Sequence, residues 1–334
     1  MSLNRRHFLG SAGAALACLP ALTRAQDRAP QQQPRIVLLG TAGGPPAHPG
    51  RSQPATLLQV AGRNYLIDAG ENCAQQLLRA GVPAHKVDQC FLSHLHWDHT
   101  LGLDYLMATG WMMNRTAPMP VWGPPGTREL VARTAASVGI GEDIFRAQAK
   151  DRPPLASLYP ARVVDTVTPR VILQDGPVKI SAAATSHFAA VHSAPHSYGI
   201  DKALAYRFDT PAGSVVITGD TGPSATLEQL AQGCDVLVSE ICDLVSIRAG
   251  LVEASRPGQN IDLLVEHMRS QHLSPEELGK LATRAGVKKL VLTHFVIGRG
   301  FDPQAFAPQI APFFKGEVIV GRDLLSIPLG AENS

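Results

Sequence analysis

The chain has 334 residues, of which 45% are hydrophobic, 17% charged and 5% aromatic, the composition of a globular protein able to bury a full core. Its 30 glycines and 26 prolines follow no fixed period, which excludes collagen-like, repeat and low-complexity architectures. A formal net charge of +2 leaves no large excess of either sign, and the length suits one large domain or two small ones.

In chain order, the first feature is Asn4-Arg5-Arg6-His7-Phe8-Leu9, followed by a weakly hydrophobic stretch over 10–22 and a small-x-small site at Thr23-Arg24-Ala25. This resembles a twin-arginine export signal, and the apolar run is too short for an ordinary membrane span. Residues 1–25 are therefore expected to be cleaved, leaving a periplasmic protein with no stable membrane anchor. Ala15-Leu16-Ala17-Cys18 is a poor lipobox, so lipoprotein anchoring at Cys18 is a minor alternative. Cleavage removes Arg5, Arg6 and Arg24 and no acid, turning 30 basic against 28 acidic residues into 27 against 28, a net charge near −1. With no basic excess to neutralise phosphates, a nucleic-acid partner is not expected. Four cysteines remain, Cys73, Cys90, Cys234 and Cys242. Their spacing matches no zinc or disulfide pattern, so they read as buried small hydrophobes or one adventitious bridge.

A Gln/Pro linker over 26–34 precedes a domain over 35–330. Strands are predicted over 35–39, 55–60 and 64–67, with Ala61-Gly62-Arg63 joining the last two as a hairpin. A helix over 73–80 and a strand over 87–92 follow. Apolar spacing from Leu101 to Trp111 predicts another helix, and 127–138 a further one capped by Thr127. The Pro-rich stretch 141–166 predicts a loop or small lid. Strands recur over 178–185, 203–208 and 214–218, then a helix over 224–231 and a strand over 236–239. Ser274-Pro275-Glu276-Glu277 starts a helix that Gly286 ends before a strand over 289–293. Two strand-and-helix halves with no linker between them predict a sheet-on-sheet core with helices outside.

The densest chemistry is Ser93-His94-Leu95-His96-Trp97-Asp98-His99, at the end of the 87–92 strand. His94 and His96 can project together there. The turn into a helix then brings Asp98 and His99 round to a second point about 3.5 Å away, the separation of two-metal sites. Imidazole and carboxylate suit zinc, with a position left for water.

The HxHxDH pattern resembles the metallo-β-lactamase superfamily, and more closely its branch of ribonuclease Z, phosphodiesterases and arylsulfatases. Leu39-Gly40-Thr41-Ala42-Gly43-Gly44-Pro45, Leu66-Ile67-Asp68-Ala69-Gly70-Glu71 and Val121-Trp122-Gly123-Pro124-Pro125-Gly126-Thr127 match that branch's opening strand, D-x-G turn and G-P-x-G-T loop in order. The likeness covers nearly all of 35–326 and implies a four-layered αββα sandwich, a mixed α/β fold. It also implies two zinc ions, one held by His94, His96, His187 and Asp220, the other by Asp98, His99, Asp220 and His294. Asp220 follows an apolar strand in Ile217-Thr218-Gly219-Asp220, and His294 ends another in Leu292-Thr293-His294-Phe295. His187 falls at a strand end, but alignment set backwards from Tyr206 selects His196 instead, and His192 lies between them. Asp68 is expected to support the ligands or shape its turn, as are backbone donors near Gly43. Glu240 and His272 resemble the glutamate and histidine that such enzymes place beside the reacting phosphate, His272 as acid and Glu240 as its orienting partner.

No Glu replaces His96 and no Cys replaces Asp220, which sets aside the di-iron and class B1 β-lactamase branches. The resemblance to ribonuclease Z implies a precursor tRNA substrate. The export signal and near-neutral charge instead favour an exported zinc hydrolase of a small anionic substrate, a phosphodiester or sulfate ester. In it Asp98 orients the nucleophile. A lactone or carboxyl-ester hydrolase, and a non-catalytic metal-bound anion-binding protein, are the alternatives. The resemblance allows a homodimer. Trp97, Trp111, Met112 and 141–166 are the expected pocket walls.

Overall fold

Successive strand residues point to opposite faces of a sheet, and in this chain both faces of most strands are apolar and covered. A computed structural model describes residues 33–191, 194–256 and 258–330. The expected export signal, Cys18, most of the linker and His192 lie outside the described residues. Strands β1 (Arg35–Gly40), β2 (Ala55–Val60), β3 (Arg63–Ile67), β4 (Gln89–Phe91), β5 (Val121–Gly123) and β6 (Ala161–Val163) build the first sheet. Strands β7 (Arg170–Asp175), β8 (Val178–Ala184), β9 (Leu204–Thr210), β10 (Gly213–Ile217), β11 (Val236–Cys242), β12 (Lys289–Val296) and β13 (Glu317–Val320) build the second. β14 (Leu325–Pro328) returns to the first, antiparallel to β1. The helices are α1 (Cys73–Arg79), α2 (Trp97–Thr100), α3 (Leu103–Met112), α4 (Thr127–Phe145), α5 (Ala225–Ala231), α6 (Leu244–Ala254), α7 (Ile261–Gln271), α8 (Pro275–Arg284) and α9 (Phe306–Ile310).

Between the sheets, Ile36, Leu38, Tyr65 and Phe91 of the first meet Ile180, Tyr206, Phe208 and Val238 of the second. The Phe91 ring meets Tyr206 and Phe208 edge-on at 5.3 and 5.5 Å, an arrangement favoured by the ring quadrupoles. The alternate residues face outward, Leu39, Leu57 and Leu66 under α1, α3 and α4, and Val216, Leu237 and Leu290 under α5, α8 and α9. The result is the four-layered mixed α/β sandwich expected from the sequence.

Each sheet changes from antiparallel to parallel pairing partway across, from β3 to β6 in the first and from β10 to β13 in the second. Strands that run parallel end at the same edge, and there the following loops carry the polar residues.

Several expectations need correction. α4 continues to Phe145, and Thr127 does not cap it: Gly126 occupies the cap with φ +97°, while the Thr127 hydroxyl donates to the Pro124 carbonyl at 2.7 Å. The stretch 141–166 is no lid, because Leu155, Leu158 and Tyr159 bury themselves in the first core and 161–163 joins the sheet as β6. Strand β7 escaped detection because half of its residues are exposed, none is buried and they lack alternation. The Ser274 start holds: its hydroxyl accepts from the Glu277 amide at 3.3 Å, and Glu277 accepts from the Ser274 amide at 3.1 Å. All four described cysteines are free and buried.

Candidate metal centre

The loops after β4, β8 and β10 and the second half of β12 bring seven side chains together where the two sheets meet. Gly219 permits this approach. A Cβ there would lie 2.4 Å from the Ser93 Cβ, and its φ of +57° is open to glycine at no cost, so Asp220 is carried directly against the His94 loop. On the other side, Gly43 lies so close to the Phe295 backbone that a Cβ would sit 2.5 Å from its carbonyl carbon, packing the 42–45 turn beside His294.

The side chains form two groups. His94, His96, His187 and Asp220 converge in one, and Asp98, His99 and His294 in the other, with donor atoms within 4.8 Å of one another in each. In the first, His94 Nε2 lies 2.9 Å from His96 Nδ1, which lies 3.3 Å from His187 Nε2, and Asp220 Oδ2 stands 3.8 Å from His94 Nε2. In the second, His99 Nε2 lies 3.1 Å from His294 Nε2, and Asp98 Oδ2 lies 3.5 and 3.4 Å from the two. Asp220 Oδ1 joins this second group, 3.3 Å from His99 Nε2 and 3.0 Å from His294 Nε2. Asp220 therefore offers one oxygen to each group. Donors bound at 2.0–2.1 Å to one tetrahedral ion stand roughly 3.4 Å apart, which is the spacing of both sets.

For His94, His99 and His187, outer partners fix which nitrogen the ring turns inward. His99 Nδ1 donates to Asp68 Oδ2 at 2.9 Å, and His187 Nδ1 donates to the Gln271 carbonyl at 3.0 Å. The Ser93 hydroxyl donates to Asp68 at 2.9 Å and accepts from His94 Nδ1 at 3.1 Å. Each of these bonds places the ring proton on the far side and a lone pair on the converging Nε2. Asp68 thus supports the ligands, as expected. Ser93 and the Gln271 carbonyl were not anticipated; only the position of Ser93 before His94 hinted at its role.

Electrostatics point the same way. Burial holds the His94 imidazole well below its ordinary pKa and lowers that of His187 to about 4, so both rings are neutral near pH 7. At His99 burial works in the same direction, but the charges of Asp220, Asp68 and Asp98 outweigh it and raise its pKa well above the ordinary value. Three carboxylates around one imidazole make a strongly negative pocket, favourable to any cation. Asp98 Oδ1 and Asp220 Oδ1 are buried without a hydrogen-bond partner among the described residues. Such orphaned atoms are costly unless something else coordinates the site, and His/Asp donors suit a divalent ion.

His196, the alternative ligand, is not drawn in. It is exposed, with Nε2 paired to Asp201 at 3.1 Å. A cavity of about 400 Å³ opens on the centre, lined by Trp97, Asp98, His187, Met268, Gln271 and His272 among others. His272 Nδ1 donates to Glu240 Oε2 at 3.1 Å, and Glu240 Oε1 accepts from the Leu273 amide at 3.0 Å, so the expected pair is in place. Three expected walls are elsewhere: Trp111 is buried, its indole donating to the Pro153 carbonyl, Met112 lines a separate groove with Leu78 and Tyr105, and no residue of 141–166 lines the cavity.

Fold and ligand arrangement together define a metal-dependent hydrolase. The description "Beta-lactamase superfamily domain" matches residues 63–295. Ribonuclease Z of Mycobacterium bovis (strain BCG / Pasteur 1173P2) is 34% identical over 296 residues, covering 86% of this chain and 96% of that protein. Ribonuclease Z of Mycobacterium avium (strain 104) is 34% identical over 303 residues, covering 89% and 98%. Among solved structures, the metallo-beta-lactamase fold protein YhfI from Bacillus subtilis superposes with TM-score 0.60 at 21% identity, covering 88% and 99%. Human tRNase Z, short form, does so with TM-score 0.61 at 18% identity, covering 89% and 100%. The chain belongs to the metallo-β-lactamase superfamily, in its ribonuclease Z branch.

These relatives correct two expectations. Proteins named ribonucleases over nearly their whole length stand against an exported hydrolase of small phosphodiesters or sulfate esters, and against the exclusion of nucleic acid. The charge argument failed because net charge averages the whole surface. Counterion release governs binding along many phosphates, whereas a cation-holding pocket attracts one phosphodiester whatever the overall sum.

Proposed function

We propose that the chain is a two-zinc phosphodiesterase that hydrolyses RNA. The observation that carries this reading is Asp220, whose two oxygens serve two adjacent ligand groups on the floor of a cavity that His272 also lines. His94, His96, His187 and Asp220 would hold one ion, and Asp98, His99, His294 and Asp220 the other. Zinc held there would supply Lewis acidity to the phosphoryl group and would acidify water.

The chain's own groups supply the rest. Asp98 Oδ1, which no described residue satisfies, accepts a hydrogen bond from the attacking water and so aims its lone pair at phosphorus. Burial lowers the pKa of His272, but the Glu240 charge and hydrogen bond outweigh it and raise it to about 8, so the ring is protonated at neutral pH. Its Nδ1–H stays on Glu240, and Nε2–H donates its proton to the departing ribose oxygen. The relatives' printed names supply the substrate class, RNA.

The test is cleavage of a precursor tRNA transcript by the zinc-loaded full chain. Asp98→Ala should abolish cleavage with the fold intact, and His272→Ala should lower kcat about 10²- to 10⁴-fold, the usual worth of a general acid, with zinc content unchanged. Intact RNA under these conditions, or full activity in Asp98→Ala, would refute the reading.

A further inference from the structure

Three tryptophans occur in the chain, and two are built into the fold. The Trp111 indole donates to the Pro153 carbonyl at 3.0 Å; the Trp122 indole donates to Gln89 Oε1 at 2.9 Å while its ring stacks on Phe91. Trp97 is different. It is 70% exposed, and among the described residues none hydrogen-bonds its indole or stacks on its ring. A tryptophan normally buries 150–250 Å² and uses its N–H, so this one contributes little to folding.

Its backbone, however, is held on both sides. Trp97 is the first residue of α2, between the ligands His96 and Asp98. The Thr100 hydroxyl and the His99 amide both donate to the His96 carbonyl, at 2.9 and 3.1 Å, closing the turn beneath it. The indole lines the same cavity as His272, with Pro45 and Met268 as further apolar wall. A flat ring with two side-chain torsions on a fixed backbone loses little entropy when something packs on it. Any phosphodiester that reaches the ligand groups brings its neighbouring group past this ring.

We propose that Trp97 is a stacking platform for the nucleobase next to the scissile phosphodiester, a substrate-positioning contact of the RNA site. The proposal rests on the RNA reading above. Stacking accepts every base because each has a π-face, with purines favoured by their larger area. The platform therefore holds the substrate in register without reading a sequence.

The test uses the full chain carrying Asp98→Asn, so that RNA binds without turnover, titrated with a six-residue oligoadenylate and with the same oligomer made abasic. Oligoadenylate is expected to quench tryptophan emission, and Trp97→Phe to remove the quench while keeping affinity within about threefold. Trp97→Ala should weaken binding about 5- to 100-fold, as loss of a stacking aromatic does, with less than twofold change for the abasic oligomer. With Asp98 restored, Trp97→Ala should lower kcat/KM for precursor tRNA by the same factor. Cleavage of RNA with kcat/KM unchanged in Trp97→Ala overturns the platform and leaves the ribonuclease reading standing. Binding with quench but no cleavage by the wild type overturns the ribonuclease reading and leaves Trp97 as a base-stacking contact of an RNA-binding site. No oligoadenylate binding at all overturns both.

Discussion

Replacing Asp68 with Asn tests the claim that ring tautomers are set from outside the ligand groups. Asp68 Oδ1 accepts from the Ser93 amide at 2.7 Å, while Oδ2 accepts from the Ser93 hydroxyl and from His99 Nδ1, both at 2.9 Å. Asn has the same shape and tolerates the φ of +60° found here, so no backbone strain is added. It has only one acceptor atom, however. If that oxygen keeps the Ser93 amide, the NH₂ faces His99 Nδ1; the Ser93 hydroxyl can rotate to accept, but His99 must move its proton to Nε2, the nitrogen turned toward the ligands. If the amide flips, two N–H groups confront each other in a buried site, at about 1–3 kcal/mol. Either way metal affinity should fall 10- to 100-fold, the usual effect of removing a ligand's outer partner, or about 1.4–2.8 kcal/mol. Chelator competition on purified protein measures this, with circular dichroism to show that the fold is kept. Unchanged affinity would mean that the His99 tautomer is set otherwise and that the Asp68 argument is wrong.

The two candidate ligands after β8 separate cleanly: His187→Ala should lower bound zinc from about two ions per chain, the expectation for a two-metal site, toward one, while His196→Ala leaves it unchanged. Metal analysis after gel filtration decides between them, and loss in His196→Ala alone would reverse the assignment. At Asp235 burial raises the carboxyl pKa, but Lys288 Nζ at 2.6 Å and the Ser214 amide and hydroxyl outweigh it and hold it at about 2. A depressed carboxyl adds stability that is present above its unfolded value near 4 and lost as pH falls toward 2. Asp235→Asn should therefore flatten the decline of urea stability from pH 5 to pH 3, and equal slopes would refute this. Export through residues 1–25 is a separate proposal: replacing Arg5 and Arg6 with Lys should keep the protein in the cytoplasm on fractionation. Unaltered release to the periplasm would exclude the twin-arginine route.

Much of the architecture was legible because the sandwich buries both faces of its strands. Runs such as 55–60 and 236–239 are mostly apolar and buried throughout, and the layers follow from where such runs recur. The HxHxDH motif was equally plain, since one loop holds four chemically competent side chains within six residues. The edges were not legible. β7 is half solvated, β6 has three residues with two exposed, and α6 has no buried residue, so none shows a strong hydrophobic pattern. His187 against His196 could not be settled from spacing, because a loop of variable length lies between strand and strand; the fold separates them, bonding His187 to Gln271 at a separation of 84 residues and turning its Nε2 toward His96, while His196 stays exposed. Substrate class was misread for a different reason: a global charge was asked to report on a local pocket.

The ligands come from four stretches of chain, the first ending at His99 and the last at His294, and no single sheet supplies a full set. A ribosome-bound chain therefore carries an incomplete site for nearly two hundred residues of synthesis. It cannot close that site until β12 has emerged and docked. A chain ended between Asp220 and His294 would hold the four residues of the first group but only part of the second, so the second group is the one that requires a finished chain. The seam between the sheets acts as a checkpoint, granting hydrolytic power only to molecules whose two halves have already found each other.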